Sequence, residues 1–342
     1  MLTEKQLKQI REELDSCKRP LIFFHDDADG LCSFLLFYRR LKEGKGVIVK
    51  TTPRIDKKFL TIVEEYGPDK IFVVDIAIVE QEFIDKVKQK IVWIDHHPPL
   101  ERENIDYYNP RIGNPDDNIP ASEICYDVVQ DDLWIAMIGV ISDWHWPAFA
   151  EEFRDAYPDL LPEKINEPEE ALFESPLGKL IEIISFALKG STKEAMQSAK
   201  IMTRISSPYE ILNQESPAGK FLYKKYSSLK NKYDTLLKKA LEQKAKGKIL
   251  LFRYPHDQFS FTKDLANELL HRSPDKIILI AREKGNEMKM SLRSKKEILP
   301  PLLEKALEGL EGYGGGHEHA CGASVKINDF EQFVKQLEEQ LE

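Results

Sequence analysis

Four short stretches of the chain concentrate acids and imidazoles. They are His25-Asp26-Asp27-Ala28-Asp29-Gly30, then Asp75, then Asp95-His96-His97, then Asp143. A lone aspartate after a strand is ordinarily a helix cap, and Asp27 or Asp29 taken singly fits a turn before a helix. The recurrence carries the argument. Carboxylates and imidazoles gathered at one crevice repel or desolvate one another unless a cation compensates them. Oxygen-rich ligands with some imidazole suit a divalent ion such as manganese or magnesium, and there are enough of them here for two ions. A pair of ions about 3.5–4 Å apart lowers the pKa of a shared water, aligns it and neutralises the developing oxyanion.

Three of the four stretches follow a β-branched or aromatic run. Leu21-Ile22-Phe23-Phe24, Ile71-Phe72-Val73-Val74 and Ile91-Val92-Trp93-Ile94 read as buried parallel strands. The polar residues then sit at the carboxyl ends of strands, where open α/β sheets place their ligand crevice. Val47-Ile48-Val49 is a further strand, and Leu31 to Leu41 reads as a helix. Gly30 permits a tight turn between strand and helix, and Ser33 stands where it would cap that helix or meet a phosphate. Strand and helix alternate up to Asp95, which predicts an α/β fold with a doubly wound parallel sheet. Residues 3–17 form an amphipathic helix in this reading. Tyr107 to Pro120 is a loop, Ser122 caps a helix opening at Ala121, and a helix from Asp132 to Ser142 delivers Asp143. Trp144, His145 and Trp146 either pack over the sheet edge or stack on bases.

Residues 147–213 read as a helical extension of a first domain spanning 1–213. A basic helical linker, 214–247, follows. Within it Lys224, Lys225, Lys230, Lys232, Lys238, Lys239, Lys244 and Lys246 are opposed by Asp234 and Glu242. Leu222, Tyr226, Leu229, Tyr233 and Leu236 recur at helical spacing as one apolar seam. The lysines form a solvated face or guide a nucleic-acid backbone; the seam offers a place for a homo-oligomer or a replication or repair partner. Residues 248–342 make a smaller α/β domain, with strands at 249–252, 277–280 and 288–292 and helices from Thr262 to His271 and from Asp329 to Leu341.

Composition narrows the function classes. The 342 residues carry a formal net charge of −9, which argues against nonspecific coating of duplex by the whole surface. Acids gathered at a metal crevice are neutralised there by the ions, so a nuclease remains compatible. No apolar run approaches the roughly 18 residues that span a bilayer. The N-terminus lacks an apolar leader. Cys17, Cys32, Cys125 and Cys321 form no Cys-x-x-Cys pair and read as reduced thiols of a cytoplasmic protein.

The order His-x-Asp-Ala-Asp-Gly, strand-Asp, Asp-His-His and a later Asp resembles the DHH phosphoesterase superfamily. That group includes RecJ-like exonucleases, oligoribonucleases that also act on adenosine bisphosphate, cyclic dinucleotide phosphodiesterases and a class of pyrophosphatase. Gly314-Gly315-Gly316-His317-Glu318-His319-Ala320-Cys321-Gly322 resembles the glycine-rich motif of the family's associated C-terminal domain. His25 stands two residues before Asp27, as in the archaeal RecJ-like pattern. The resemblance implies that His25, Asp27 and Asp75 hold one ion. It implies that Asp29, Asp75, His96 and Asp143 hold the other, with Asp75 bridging. His97 would face the scissile phosphate and Asp95 would orient a histidine or ligand; Asp26 receives no role. Arg293, Ser294, Gly314, Gly315, Gly316 and His317 would bind substrate, the glycines through a concavity of backbone N–H groups.

The implied activity is a manganese-dependent (or magnesium-dependent) exonuclease acting on single-stranded DNA, RNA or short oligonucleotides and releasing nucleoside monophosphates. The alternatives are an adenosine bisphosphate phosphatase, a cyclic dinucleotide phosphodiesterase, or a noncatalytic replication or repair scaffold. Pyrophosphatase is disfavoured by the triple glycine.

Overall fold

Buried aliphatic and aromatic runs build the first sheet. The computed structural model describes residues 1–50, 53–255 and 259–341. Two compact units divide at Tyr226 and Ser227.

The first unit opens with α1 (Glu4–Asp15), β1 (Pro20–His25), α2 (Ala28–Leu41), β2 (Lys45–Val49) and the short β3 (Arg54–Ile55). It continues through α3 (Leu60–Tyr66), β4 (Lys70–Val74), β5 (Ile78–Val79), α4 (Gln81–Lys86), β6 (Lys90–Ile94) and β7 (Asp106–Tyr108). Five strands form a sheet in the order β2-β1-β4-β6-β7, and every pair is parallel. Side chains alternate across it. Leu21, Phe23, Ile71, Val73, Ile91 and Trp93 fill one face with Val63, Phe83 and Ile84 from α3 and α4. On the other face Phe37 of α2 meets Phe72 edge-on at 5.6 Å between ring centroids. The expected doubly wound parallel arrangement is therefore present. One strand, β7, overlaps the start of the stretch expected to be loop.

Register explains the site. Phe24 pairs with Val74, and Val74 pairs with Ile94. The next residue on each strand, His25, Asp75 and Asp95, is therefore level with its neighbours at one sheet edge.

Helices α5 (Ala121–Val129) and α6 (Leu133–Ser142) pack on α2. A Cβ at Gly139 would lie 2.5 Å from Ser122 Oγ and 2.9 Å from Cys32 Cβ, so α6 approaches only because this position has no side chain. The expected helical extension consists of α7 (Ala150–Ala156), α8 (Pro168–Glu174), α9 (Pro176–Ala187), α10 (Thr192–Met202) and α11 (Pro208–Leu212). The long α12 (Pro217–Leu241) follows. Most of its seam is already covered, with Leu236 half-buried. Leu222, Tyr226, Leu229 and Tyr233 are buried within the chain, with Tyr226 against Phe186 in the first unit and Tyr233 against Phe261 in the second. Helical spacing identified the apolar face but not what covers it.

The second unit contains β8 (Ile249–Tyr254), α13 (Thr262–Arg272), β9 (Ile277–Lys284) and β10 (Glu287–Arg293). Then come α14 (Leu299–Ala306), β11 (Gly312–His317), β12 (Ala320–Lys326) and α15 (Phe330–Glu339). Its sheet runs β11-β12-β10-β9-β8; the pair β8–β9 is parallel and the others are antiparallel. Leu279, Met290, Leu292, Cys321, Ala323 and Val325 face a core completed by Leu303, Phe330 and Phe333 of α14 and α15. Strands β11 and β12 were not foreseen; the glycine run of β11 has no side-chain alternation to read. Among the described residues no helix is long and apolar enough to cross a membrane.

Candidate metal centre

Each acid or imidazole of the four stretches is placed by a definite local cause. His25 closes β1. Asp27 caps α2, accepting from the N–H of Gly30 at 3.2 Å. Gly30 lies inside the first helical turn, not in a turn before it. A Cβ there would stand 2.7 Å from the backbone N and O of His25. Its value is thus close approach: the bare glycine lets α2 begin against the strand end and carry Asp27 and Asp29 with it. Asp29 is 1% exposed, and its two oxygens accept from the N–H groups of Ala121 (3.0 Å) and Ser122 (2.9 Å) at the start of α5. Ser122 therefore serves through its backbone, while Pro120 occupies the cap position. Ser33 is buried in α2 and presents nothing to a phosphate.

Asp75 follows β4 with φ of 54°, in the left-handed region that aspartate tolerates better than most residues. Its N–H donates to Ile94 O at 3.0 Å, which fixes it between β4 and β6. Asp95, His96 and His97 leave β6, and Asp143 ends α6.

The side chains converge. His25 Nδ1 is 3.1 Å from Asp27 Oδ2 and 3.4 Å from Asp75 Oδ2. His96 Nε2 is 3.5 Å from Asp75 Oδ1 and 3.5 Å from Asp143 Oδ2. Asp75, 2% exposed, thus turns one oxygen to each histidine. Three sets have ligand atoms within 4.8 Å of one another: His25, Asp27 and Asp75; Asp29, His96 and Asp143; and Asp75, His96 and His97. His25 Nδ1 and Asp75 Oδ2 are buried without a hydrogen-bond partner. Buried polar atoms ordinarily find one, and a divalent cation between these two would satisfy both. The donor set, carboxylate oxygen with imidazole nitrogen, fits such an ion.

The electrostatics agree. Burial pulls the His25 imidazole down, but Asp27 and Asp75 outweigh it and hold its pKa well above the ordinary value. His96 behaves alike: burial opposes the charge, and Asp75, Asp143 and Asp29 prevail. Burial, with Asp75 and Asp143 nearby, raises Asp29 well above the carboxylate range. Crowded acids here borrow protons as compensating charge.

Outer partners set the orientation of both later histidines. Asn118 Oδ1 lies 3.2 Å from His96 Nδ1, so the proton on Nδ1 points there and Nε2 faces the acids. Asp95, fully buried, spends both oxygens on His97: Oδ1 is 2.8 Å from Nδ1 and Oδ2 accepts the backbone N–H at 3.2 Å. Asn109 Nδ2 donates to His97 O at 2.9 Å and to Tyr107 Oη at 2.8 Å. Asn118 and Asn109 were invisible in the sequence, where each is one more polar loop residue.

In the second unit the glycines form an edge strand instead of a cup of N–H groups. Gly314 packs toward Leu303, while a Cβ at Gly315 would meet nothing within 4 Å. Gly316 has φ of 150°, and a Cβ there would lie 2.3 Å from Ala320 O. Strand register places His317 opposite Ala320 and Ala320 opposite Arg293, with Gly315, Gly322 and Ser291 as the next row on that face. His317 and Arg293 therefore share one face, about 10 Å apart across two strand spacings, with small residues between. Arg293 Nε donates to Asn267 Oδ1 at 2.7 Å, and its Nη1 to Leu292 O at 2.8 Å. Ser294 is different: it is buried, and its hydroxyl accepts from the N–H groups of Lys296 and Glu297, so it holds a turn. His319 sits with Nδ1 3.3 Å from Glu297 O.

Residues 19–155 match the DHH family, N-terminal domain, and residues 262–342 match the DHHA1 domain. An uncharacterized protein of Methanocaldococcus jannaschii is 29% identical over 171 residues, covering 42% of this chain and 37% of that one. RecJ from Thermus thermophilus, crystallised in complex with Mn2+, has a TM-score of 0.74 at 16% identity, covering 99% of this chain and 55% of RecJ. The pGpG-specific phosphodiesterase PggH of Vibrio cholerae has a TM-score of 0.51 at 15% identity, covering 95% and 99%. The chain spans well under two thirds of the length of both the Methanocaldococcus and the Thermus proteins. At these identities the structural likeness establishes the fold.

Proposed function

The chain belongs to the DHH superfamily and is RecJ-like in pairing a DHH domain with a DHHA1 domain, and from that premise we propose that it is a divalent-metal phosphodiesterase that releases nucleoside monophosphates from single-stranded DNA, RNA or short oligonucleotides. One observation carries the reading: the buried Asp75 turns its two oxygens to two different histidines, with His25 Nδ1 and Asp75 Oδ2 left unpartnered. His25, Asp27 and Asp75 would hold one ion; Asp29, Asp75, His96 and Asp143 would hold the other. Manganese is the first choice and magnesium the second. Held by these residues, such ions would supply an activated water and neutralise charge on the phosphate.

The chain's own groups do the rest. The α5 N–H groups fix Asp29, and Asn118 fixes the tautomer of His96. Asp95 holds His97 through Nδ1, and we assign the ring's Nε2 to a phosphate oxygen or the leaving group. We assign 1–213 to catalysis, 214–247 to the connection and 248–342 to substrate binding. There Arg293 and His317 meet phosphate or sugar, and the bare backbone at Gly315 admits the nucleotide closely.

The test is a single strand labelled at each end in turn, incubated with Mn2+ and sampled over time, then repeated with RNA. Mononucleotides released progressively from one end are expected; no cleavage under any metal sinks the reading. A second reading, a phosphoesterase for dinucleotides or other small phosphoesters, draws on the net charge of −9, which suits a short substrate better than a long polyanion. Turnover confined to dinucleotides decides for it.

A further inference from the structure

Asp26 stands in the metal-binding stretch yet belongs to neither ligand set. Its carboxylate lies behind His25: Oδ1 is 3.4 Å from His25 Nε2, on the ring edge opposite the Nδ1 that faces Asp27 and Asp75. The other oxygen, Oδ2, is 3.2 Å from Lys50 Nζ. Lys50 in turn donates to Leu188 O at 3.0 Å and Gly190 O at 3.1 Å, just past the end of α9. The two carbonyls anchor the ammonium by hydrogen bonds, and its charge pairs with Asp26. Carbonyls at a helix end lack helical partners and favour a cation, so Lys50 is held there independently of Asp26. Lys50 and Asp26 are only 19% and 21% exposed, which restricts both side chains.

A neutral imidazole carries one N–H and one lone pair, and the partner of one nitrogen decides the role of the other. A carboxylate beside Nε2 draws the proton to that nitrogen. The lone pair is then on Nδ1, the atom directed between Asp27 and Asp75 and lacking any hydrogen-bond partner. In the metal-free chain Asp27 and Asp75 compete for a proton on Nδ1; once an ion takes those oxygens, Asp26 is the acid left beside Nε2 to hold the ring in this orientation.

We propose that Asp26 is the positioning residue for His25, fixing the Nε2–H tautomer so that Nδ1 binds the ion, and that Lys50 holds Asp26 in place from the end of α9. This rests on the reading of His25 as a metal ligand. It explains why an acid that binds no metal stands inside the metal stretch. It also links the helical extension to the site, since α9 is remote from His25 in sequence.

The test uses the full chain with histidine-selective 15N labelling and Zn2+ as a diamagnetic probe of the same ligands. In the wild type, Zn2+ should shift His25 Nδ1 and leave a proton on Nε2. Asp26→Ala should lose the single tautomer and bind Zn2+ about 10–100-fold more weakly, the usual cost of removing such an outer partner. Asp26→Asn keeps an oxygen acceptor and should retain the tautomer. Lys50→Met, distant from the ions, should weaken binding in the same direction. The His96 resonances report whether each variant keeps its fold. If Zn2+ shifts His25 while Asp26→Ala leaves tautomer and affinity unchanged, the proposal alone is overturned, as it also is by a proton found on Nδ1 in the loaded wild type. If Zn2+ never moves His25 in the wild type, the ligand reading fails and takes this inference with it.

Discussion

Replacing Asp75 by asparagine removes a charge and almost no volume. Asparagine adopts the left-handed region as readily as aspartate, so the φ of 54° is kept and the backbone hydrogen bond to Ile94 survives. Four acids, Asp27, Asp29, Asp75 and Asp143, surround His25 and His96. Losing one relieves crowding as much as it costs pairing, and the metal-free variant should melt within about 1 kcal/mol of wild type, a few degrees in Tm. The loaded protein should behave otherwise. An ion at a hundred times its Kd stabilises by about 2.7 kcal/mol, or about 5–10 °C for a unit of this size. Without Asp75, the His25 set keeps two ligands and the His96 set keeps Asp29, His96 and Asp143. Stoichiometry should fall from two Mn2+ to one or none, and the Tm shift should fall by half or more. Loss of about 4 kcal/mol of metal-derived transition-state stabilisation lowers kcat about a thousandfold. Calorimetric titration, thermal melts with and without Mn2+, and oligonucleotide turnover measure the three effects. A variant that binds two ions with the wild-type shift, or cleaves normally, refutes the convergence of the site on Asp75.

Four further outcomes follow from the same geometry. The raised pKa values of His25, His96 and Asp29 mean that these groups keep their protons to higher pH than usual in the metal-free chain; Mn2+ binding should release protons and tighten as pH rises, and titration heats that do not depend on buffer would contradict this. Gly30→Ala places a Cβ 2.7 Å from the His25 backbone and should destabilise by about 1–3 kcal/mol in urea unfolding; an unchanged midpoint refutes the close-approach argument. Burial works against the charge on Asp69, but the Cys17 thiol and the N–H groups of Lys18 and Arg19 hold its pKa down from 3.8 to about 2. A depressed carboxylate stabilises above its unfolded pKa and loses that contribution as pH falls from about 4 to about 2; because Asp69 is exposed the contribution is about 1 kcal/mol, and Asp69→Asn should flatten the acid limb of the stability curve. Arg293→Ala should raise KM about tenfold or more while leaving the Mn2+-induced Tm shift intact; a lowered kcat with unchanged KM would move Arg293 out of substrate binding.

The strand ends and their acids were legible because local signals define them. Runs such as Leu21 to Phe24 and Ile71 to Val74 announce buried parallel strands without reference to any other part of the chain, and the residue after each run lies at the crevice. The parallel fold and the placing of His25, Asp27, Asp29, Asp75, His96 and His97 at one edge followed from that pattern, whereas Asp143, at a helix end, joined the set through the family resemblance. What needed coordinates were contacts between segments distant along the chain. Asp29 is fixed by α5 and His96 by Asn118, while Asp26 is reached through Lys50 from α9. Periodicity marked the seam of α12 as apolar, yet only packing showed it already covered by Phe186 and Phe261. The three glycines lack the side chains whose alternation would announce a strand, and only their pairing with β12 placed them at a sheet edge. A sequence encodes which faces must be buried and which groups can bind; the partner of each is decided when the chain closes on itself, because hydrogen bonds and tautomers depend on ångström distances that spacing along the chain does not contain.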